Sequence, residues 1–324
     1  MRTLKLMVIC GAVACALVAG AVGAQGWKPE RNVELTIPTS PGGSNDLAGR
    51  LVQKLWADLR LLPVTSSVAN RSGAEHVVAY TYIQQRAGDP YAVGIMSTPM
   101  LMNPIEGRML FTHTELTPIA YLITEPMIVM VRADSPIRTG KDLVEALRKN
   151  PAALSVALTS TGHRVSIGLP LHKAGVNIKA VRMPAFKGGG ETTTAVLGGH
   201  VDALVTSVST SVPYVASGQM RAVAVSSTRR FGGAMAQVPT WQELGYLSSG
   251  SWKGLVAPRG ITPAQVAFWE DVMRKTAQSG EIQQYAEQNL WLIEFKGAAE
   301  TRKWMDEEAA ALRTIMIELG LVKQ

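Results

Sequence analysis

The chain has 324 residues, of which 32 are Lys or Arg and 25 are Asp or Glu, so its formal net charge is +7. The basic residues are scattered, without a basic block or the aromatic pattern of an RNA-binding sheet, and nucleic acid is therefore a poor candidate partner. A mildly positive field favours the approach of small anions, although ordinary surface charge explains it equally well.

The first predicted element is a signal peptide over residues 1–24. Basic residues precede an apolar run over 6–22, and small residues close that run at Ala24. This order is typical of exported proteins, and the run is at the short limit for a membrane span. We predict cleavage after Ala24 and a periplasmic location. The alternative is a lipoprotein cut before Cys15.

Both cysteines, Cys10 and Cys15, lie in the predicted signal peptide, so residues 25–324 contain none. Removal of Arg2 and Lys5 leaves 30 basic against 25 acidic residues and lowers the net charge to +5. An exported chain without disulfides is held together by its core alone, and this length supplies one large core or two. Disulfide scaffolds, thiol catalysis and cysteine–zinc sites are excluded for the mature protein.

After the signal peptide, short β-rich runs alternate with helical patterns. We predict strands at residues 33–38, 91–96, 127–131, 154–158, 178–183, 201–205 and 221–226. Apolar periodicity predicts helices over 47–59, 139–150 and 298–319. Strands separated by helices imply parallel βαβ units and an α/β fold. The length favours two lobes, with crossings between them at 118–132 and around 251–260.

Four loops follow predicted strands: 39–46, 96–104, 158–166 and 185–202. The first, third and fourth also lead into helical patterns, and the second is rich in hydroxyl groups. Open α/β sheets bind ligands at this edge, glycine lets a ligand approach the backbone, and helix starts attract anions. No P-loop or dinucleotide-binding glycine pattern is present. Plain strand–helix turns with ordinary capping explain the same residues.

The loop 158–166 also carries potential charge. His163 and Arg164 follow its glycine, and an Arg side chain can form two parallel hydrogen bonds to a carboxylate. We expect these two side chains to favour a second acidic group on the ligand. The alternative is that both are ordinary surface residues.

Five motifs follow one another along the chain: "PGGSNDLAGRL", "PAFKGGGETTTAVLGGHVDAL", "SGQMRAVAVSSTRR", "VPTWQELGY" and "SWKGLVAPRGITPAQV". In this order they resemble the Bug family, the periplasmic solute-binding receptors of tripartite tricarboxylate transporters, and the similarity runs over residues 27–322. The resemblance implies a type II periplasmic binding protein, in which two α/β lobes joined by a hinge enclose a ligand cleft. It places domain 1 at 25–125 plus 229–324 and domain 2 at 126–228.

The resemblance also implies which residues hold the ligand carboxylate through backbone amides, hydroxyls and ordered waters. The positions that match family motifs are Gly42, Gly43, Asp46, Ser97, Thr98, Asn103, Thr159, Thr161, Gly162, Ser166, Phe186, Lys187, Gly188 and Ser207. We add Thr39, Ser40, Asn45, His163 and Arg164 as candidate ligand-binding residues, because they lie in the same loops. Asp46 is expected to organise the helix start rather than to touch the ligand. Family members often have an aromatic residue at the position of Thr39, a proline at that of Ser40 and a histidine at that of Ser166. These departures leave the identity of the carboxylate open.

Three functions are compatible with these features. The first is a monomeric receptor that delivers a small organic carboxylate to the permease subunits of a tripartite transporter, without a metal or cofactor. The second is a receptor of the same fold that presents its ligand to a sensor kinase, which gene neighbourhood would distinguish. The third is a secreted hydrolase. The sequence contains no nucleophile-elbow or zinc motif, but a catalytic triad of Ser160, His163 and Asp202 stays open, because a triad is defined by geometry and not by spacing in the chain.

Overall fold

The computed structural model describes residues 26–186 and 188–322, so the predicted signal peptide, Cys10, Cys15 and Lys187 lie outside the described residues. The described chain forms two separate sheets, one of six strands and one of four, with helices packed against both. We call the part built on the six-stranded sheet the first lobe and the part built on the four-stranded sheet the second lobe.

The strands of the described residues are, in chain order, β1 Val33–Ile37, β2 Ser66–Asn70, β3 Ala92–Ser97, β4 Leu116–Glu125, β5 Met127–Arg132, β6 Val156–Ala157, β7 Ala203–Ser207, β8 Met220–Val225, β9 Ser251–Pro258 and β10 Leu292–Lys296. The first lobe has the strand order β10-β4-β9-β3-β1-β2, and the second lobe has the order β6-β7-β5-β8. Both sheets are mixed: β1 is parallel to β2 and β3, and β6 to β7, whereas the other pairs are antiparallel.

The α-helices are α1 Ser44–Asp58, α2 Val77–Gln84, α3 Pro99–Ile105, α4 Gly140–Lys149, α5 Thr161–Lys173, α6 Gly189–Leu197, α7 Val208–Ala216, α8 Pro263–Gln278, α9 Gly280–Asn289 and α10 Ala298–Glu318. Local sequence explains their limits. In α4, for example, Thr139 and Asp142 form a capping box, and Leu143 and Leu147 are buried on one face. The helices expected over 47–59, 139–150 and 298–319 are all present.

The predicted strand at 178–183 is wrong. Ile178–Ala180 forms a 3₁₀ turn, and only Arg182 makes an isolated bridge, to Ser155. Ile178 and Val181 are both buried, and a spacing of three residues places side chains on one side of a helical turn, not of a strand. Parallel pairing, which the alternation of strands and helices predicts, occurs between β1 and its neighbours β2 and β3 and between β6 and β7. The strands near the lobe boundary, β4, β5 and β9, pair antiparallel.

Both predicted crossings are extended segments of the sheets. The chain leaves the first lobe at the end of β4 and enters β5 after a single residue, Pro126. It returns through residues 226–250 and then forms β9, which pairs with β4 so that Glu125 faces Ser251. A Cβ at Gly250 would lie only 3.0 Å from the Glu125 carbonyl oxygen, so glycine permits this close approach.

Helix α10 provides a further contact between the two lobes. Helix α10 begins beside the first sheet, where Thr301 Oγ1 accepts from the Tyr121 N–H at 2.9 Å, and its C-cap residue, Leu319, lies against Gly168 of the second lobe. Each predicted domain contains the whole of one sheet. The six strands of the first sheet lie outside residues 126–228, and the four strands of the second sheet lie inside this range. The domain boundaries themselves stay a prediction.

Candidate functional site

The carboxyl ends of β1, β3, β6 and β7 lead into one cleft of about 640 Å³ between the lobes. The first lobe lines it with Thr39, Gly42, Gly43, Ser44, Asn45, Glu75, His76, Ser97, Thr98, Pro99 and Met102. The second lobe lines it with Thr159, Ser160, Gly162, His163, Gly188, Gly189, Gly190, Thr193, Thr206, Ser207, Thr210 and Tyr214. Residues from the strands and loop that join the lobes form what we call the hinge side: Glu125, Met127, Ser249, Gly250, Ser251 and Lys253. Helix α10 adds Glu308 and Leu312.

Five of the described helices begin at this cleft with N-cap residues that make no side-chain capping hydrogen bond. The N-caps are Gly43 for α1, His76 for α2 and Thr98 for α3 in the first lobe, and Gly188 for α6 and Ser207 for α7 in the second. The first turn of a helix carries amide groups without an intrahelical partner and the positive end of the helix dipole. Both walls of the cleft therefore present neutral donors that suit an anion.

The turn before α1 is organised by Asp46, which does not line the cleft. Gly42 has φ +82°, a conformation that favours glycine, and its N–H donates to Asp46 Oδ2 at 2.9 Å. Arg50 Nε and Asn70 Nδ2 donate to the same carboxylate at 2.9 and 2.8 Å. Burial pushes the pKa of Asp46 up, but these hydrogen bonds hold it below its usual value.

Of the neighbouring hydroxyls, Thr39 faces the cleft and Ser40 does not. Thr39 Oγ1 is buried and has no hydrogen-bond partner among the described residues. Ser40 is exposed and pairs with Ser72 Oγ at 3.1 Å. Asn45 lines the cleft and donates through Nδ2 to Ser97 Oγ at 3.3 Å.

The second loop places Ser97 and Thr98 in the lining, but not Asn103. Ser97 Oγ lies 3.1 Å from Tyr80 Oη and 3.3 Å from His76 Nδ1. Asn103 is fully buried, and its Nδ2 donates to the Glu75 carbonyl at 2.8 Å. It thereby supports a turn over residues 73–76 in which every residue has positive φ, a costly conformation for non-glycine residues.

The second-lobe loop places Thr159, Gly162 and His163 in the lining. The N–H and Oγ1 of Thr159 lie 3.3 and 3.2 Å from His163 Nδ1. Arg164 points elsewhere, and its guanidinium donates to the Met183 carbonyl at 3.4 Å. The expected Arg164 contact is therefore not part of this geometry, because the next side chain along a helix faces a different direction.

The remaining expected residues divide in the same way. Thr161 Oγ1 donates to Glu106 Oε1 at 2.8 Å across the lobes, and Ser166 is buried inside α5. Phe186 packs against the apolar core of the second lobe. Gly188 and Ser207 line the cleft. Contact of these residues with a ligand stays a prediction.

Sequence reasoning missed the charged pair on the hinge side. Glu125, the last residue of β4, and Lys253 of β9 form an ion pair with side chains only 1 % and 2 % exposed. Glu125 also accepts from Ser44 Oγ at 2.6 Å, from Ser209 Oγ at 2.8 Å and from Trp291 Nε1 at 3.1 Å. Burial pushes the pKa of Glu125 up, but Lys253 and the serine donors hold it below its usual value.

A signal for this pair exists in the sequence, although it is weak. Lys253 interrupts the apolar run of a predicted crossing, and a charge inside a buried strand requires a partner. Its partner is 128 residues away along the chain, so no local spacing connects them.

Two histidines flank the pair and are neutral at pH 7. Burial lowers the pKa of His76 to about 4, and the charge of Lys253 adds to this effect. Burial also lowers the pKa of His163 to about 4, although the charge of Glu125 opposes the shift. Among the residues that the structure describes, the cleft lining thus offers one cation, Lys253, among neutral donors, together with three carboxyl groups at Glu75, Glu125 and Glu308.

Comparison with known proteins agrees with this architecture. Residues 54–321 match the profile of the TctC family, described as "Tripartite tricarboxylate transporter family receptor". The chain belongs to this family. Protein BugT of Bordetella pertussis is 26 % identical to this receptor over 296 residues, which cover 87 % of either chain.

Solved structures of similar fold cover nearly the whole receptor. Periplasmic binding protein BugD matches with a TM-score of 0.78 and 23 % identity over 91 % of this chain and 100 % of its own. MatC from Rhodopseudomonas palustris, solved with bound malate, matches with a TM-score of 0.76 and 21 % identity over 89 % and 99 %. At these identities the likeness establishes the fold, which confirms the predicted type II binding-protein architecture of a TctC receptor.

The hydrolase hypothesis gains no support from the contacts of the receptor. Ser160 Oγ caps α5 by accepting from the His163 N–H, and Asp202 accepts from the N–H and Oγ of Ser155. His163 Nδ1 pairs with Thr159, so the three residues do not form a relay. Within residues 26–186 and 188–322, no group of acidic, cysteine and histidine side chains is arranged to hold a metal ion. In the same residues, no helix combines the length and apolarity that a membrane span requires.

Proposed function

We propose that this receptor captures a small organic carboxylate in the cleft and delivers it to the permease subunits of a tripartite tricarboxylate transporter. The observation that carries the proposal is that uncapped helix starts from both lobes, at Gly43, Gly188 and Ser207, meet in one cleft. Oriented amides bind an anion without a covalent or metal contact. Malate bound to MatC, a protein of similar fold, supports a carboxylate ligand.

Capture follows from the two-lobed architecture. A carboxylate that touches both walls binds more tightly when the walls are close, so it favours the closed arrangement by its differential affinity. The Glu125 carboxylate, which accepts from Ser44 of the first lobe and Ser209 of the second, joins the walls at the same place. Neutral donors also permit release, because a fully paired and buried charge is costly to separate.

The proposal includes export and a membrane partner. Residues 1–24 have the pattern of a cleaved signal peptide, and a receptor that meets a permease from outside must cross the inner membrane. A monomer suffices for this role, since both walls of the cleft come from one chain.

A thermal-shift screen tests the proposal. The purified receptor is heated with a panel of mono-, di- and tricarboxylates, each beside its neutral amide. A ligand at about 100 times its Kd adds about 2.7 kcal/mol to the free energy of unfolding, which gives a clear shift in Tm. We expect at least one acid to raise Tm while its amide does not. Silence of every acid, in a sample freed of bound metabolite by refolding, would contradict carboxylate capture.

A further inference from the structure

The Lys253 side chain has more donors than the protein satisfies. Its ammonium group carries three N–H donors, and among residues 26–186 and 188–322 its one hydrogen-bond acceptor is Glu125 Oε2. The ring of Trp291 lies 5.5 Å from Nζ and adds a weak electrostatic contact. Two N–H donors of a side chain that is 2 % exposed, and that lines the cleft, therefore have no acceptor within the described protein.

Glu125 differs from Lys253, because both of its carboxylate oxygens already accept all the hydrogen bonds that they can. Oε1 accepts from Ser209 and Trp291, and Oε2 accepts from Ser44 and Lys253. Four donors occupy the sites of a carboxylate that accepts two bonds per oxygen. Glu125 thus holds Lys253 in place and has no need of a ligand.

The other acidic groups of the cleft do not replace the missing acceptors. Glu75 pairs with Arg108 at 2.9 Å, and burial raises the pKa of Glu308, which disfavours its charged form. His76, the neighbour that senses the charge of Lys253, is neutral at pH 7. A buried cation with open donors is stable only when polar or anionic atoms complete its shell.

We propose that Lys253 is a specificity-determining ligand contact. The helix starts hold one carboxylate group of the ligand, and the two open N–H donors of Lys253 bind a second anionic group of the same ligand. This inference rests on the proposed function and adds to it the charged residue, Lys253, that recognises the ligand. The ligand class is therefore an organic acid with two anionic ends, one on the neutral donors of the walls and one on the hinge side. Glu125 is a positioning residue that fixes the ammonium between the lobes.

The experiment is a double-mutant cycle with the ligand as one partner. Binding of malate and of unbranched four- to six-carbon dicarboxylates is measured by calorimetry beside the monoamide of each. The variants are Lys253→Met, Glu125→Gln and the double variant Lys253→Met/Glu125→Gln, which removes both charges without leaving either one unpaired. The double variant carries the test where Lys253→Met alone fails to fold.

For the diacid that binds best, we expect the unmodified receptor to prefer the acid over its monoamide by at least about tenfold, the range of a hydrogen bond to a charged group. In Lys253→Met and in the double variant this preference falls to about twofold or less. Glu125→Gln leaves Lys253 without its counter-ion, so we expect the ratio of diacid affinity to monoamide affinity to rise above that of the unmodified receptor. A merely structural pair would weaken both probes equally.

The outcomes separate the two claims. A receptor that binds a diacid with the same preference in the double variant overturns the role of Lys253 and leaves carboxylate capture intact. A receptor that binds monocarboxylates as tightly as diacids does the same. Failure of every carboxylate to bind the unmodified receptor overturns the proposed function and this inference with it.

Discussion

The walls and the hinge side of the cleft use different chemistry. The walls present glycine amides and hydroxyls, as at Gly43, Gly188 and Ser207, and the hinge side presents a buried ion pair between Glu125 and Lys253. Neutral donors bind an anion and release it at small cost, whereas buried charges must stay paired. Under the proposed function, the walls supply the general affinity for carboxylates, and the hinge side supplies structural coupling between the lobes and selectivity for the ligand.

The largest expected effect is the loss of stability when the buried Glu125 carboxylate is removed. Glu125→Ala leaves Lys253 buried without a counter-ion and removes the acceptor of Ser44 and Ser209. Loss of one partner of a buried pair costs about 3–5 kcal/mol, which we expect in the free energy of unfolding from urea titration. The matched control is Glu307→Ala at the exposed pair with Lys303, for which we expect about 0.5 kcal/mol or less. Equal effects of the two substitutions would contradict the contrast.

The second prediction concerns pH and the two neutral histidines. His76 and His163 have a pKa of about 4 in the folded protein against an ordinary value of 6.5, so between these limits the unfolded chain binds more protons. Stability is therefore complete above pH 6.5 and falls as the pH falls towards 4. Each histidine contributes at most about 2 kcal/mol to the loss between about pH 7 and 5.

Urea titrations at both pH values check this expectation in His76→Gln and His163→Gln. Each variant should lose less stability on acidification than the unmodified receptor does. The control is His200→Gln, since His200 is exposed. A pH dependence that is the same in all four proteins would show that the cleft histidines do not stay neutral.

The third prediction separates binding from stability on the wall. Thr39 Oγ1 is buried at the cleft without a partner in the described residues, so the nearly isosteric Thr39→Val removes an unsatisfied hydroxyl. We expect unchanged or slightly higher stability and a loss of ligand affinity of about fivefold to tenfold, the value of one neutral hydrogen bond. Thermal unfolding and calorimetry with the best acid measure the two quantities. A loss of stability together with unchanged affinity would exclude Thr39 from the ligand site.

The smallest effect is expected at Arg164, which sequence reasoning placed at the ligand. Its guanidinium donates to the Met183 carbonyl and is absent from the cleft lining. Arg164→Ala should leave the affinity for the best acid within about twofold and cost roughly 0.5–1.5 kcal/mol of stability for the lost hydrogen bond. A tenfold loss of affinity in calorimetry would return Arg164 to the binding site.

The sequence is informative where structure is local. Gly42 and Gly43 lie between β1 and α1, and the glycines at 188–190 lie at the start of α6, so the glycine-then-helix pattern of the sequence is found at the cleft in both lobes. The capping box at Thr139 and the leucines of α4 likewise mark a helix through neighbours in the chain. The turn at 178–181 was mistaken for a strand because apolar β-branched residues occur in both.

The features that could not be predicted from the sequence depend on contacts between residues that are distant in the chain. Glu125 and Lys253 belong to β4 and β9, strands that pair only in the folded sheet, and no spacing in the chain connects them. The same holds for Asn103, which fits the second loop by position but bonds to the carbonyl of Glu75. Membership of a strand or helix is decided locally, whereas the direction of a side chain is decided by its packing.

A crystal structure of the receptor with the acid that gives the largest Tm shift tests the central claim most directly. The account predicts one carboxylate between the helix starts at Gly43, Gly188 and Ser207, within hydrogen-bond distance of their first-turn amides, and a second anionic group on Lys253 Nζ. A carboxylate bound outside this cleft, or inside it without contact to any of these helix starts, would contradict the account.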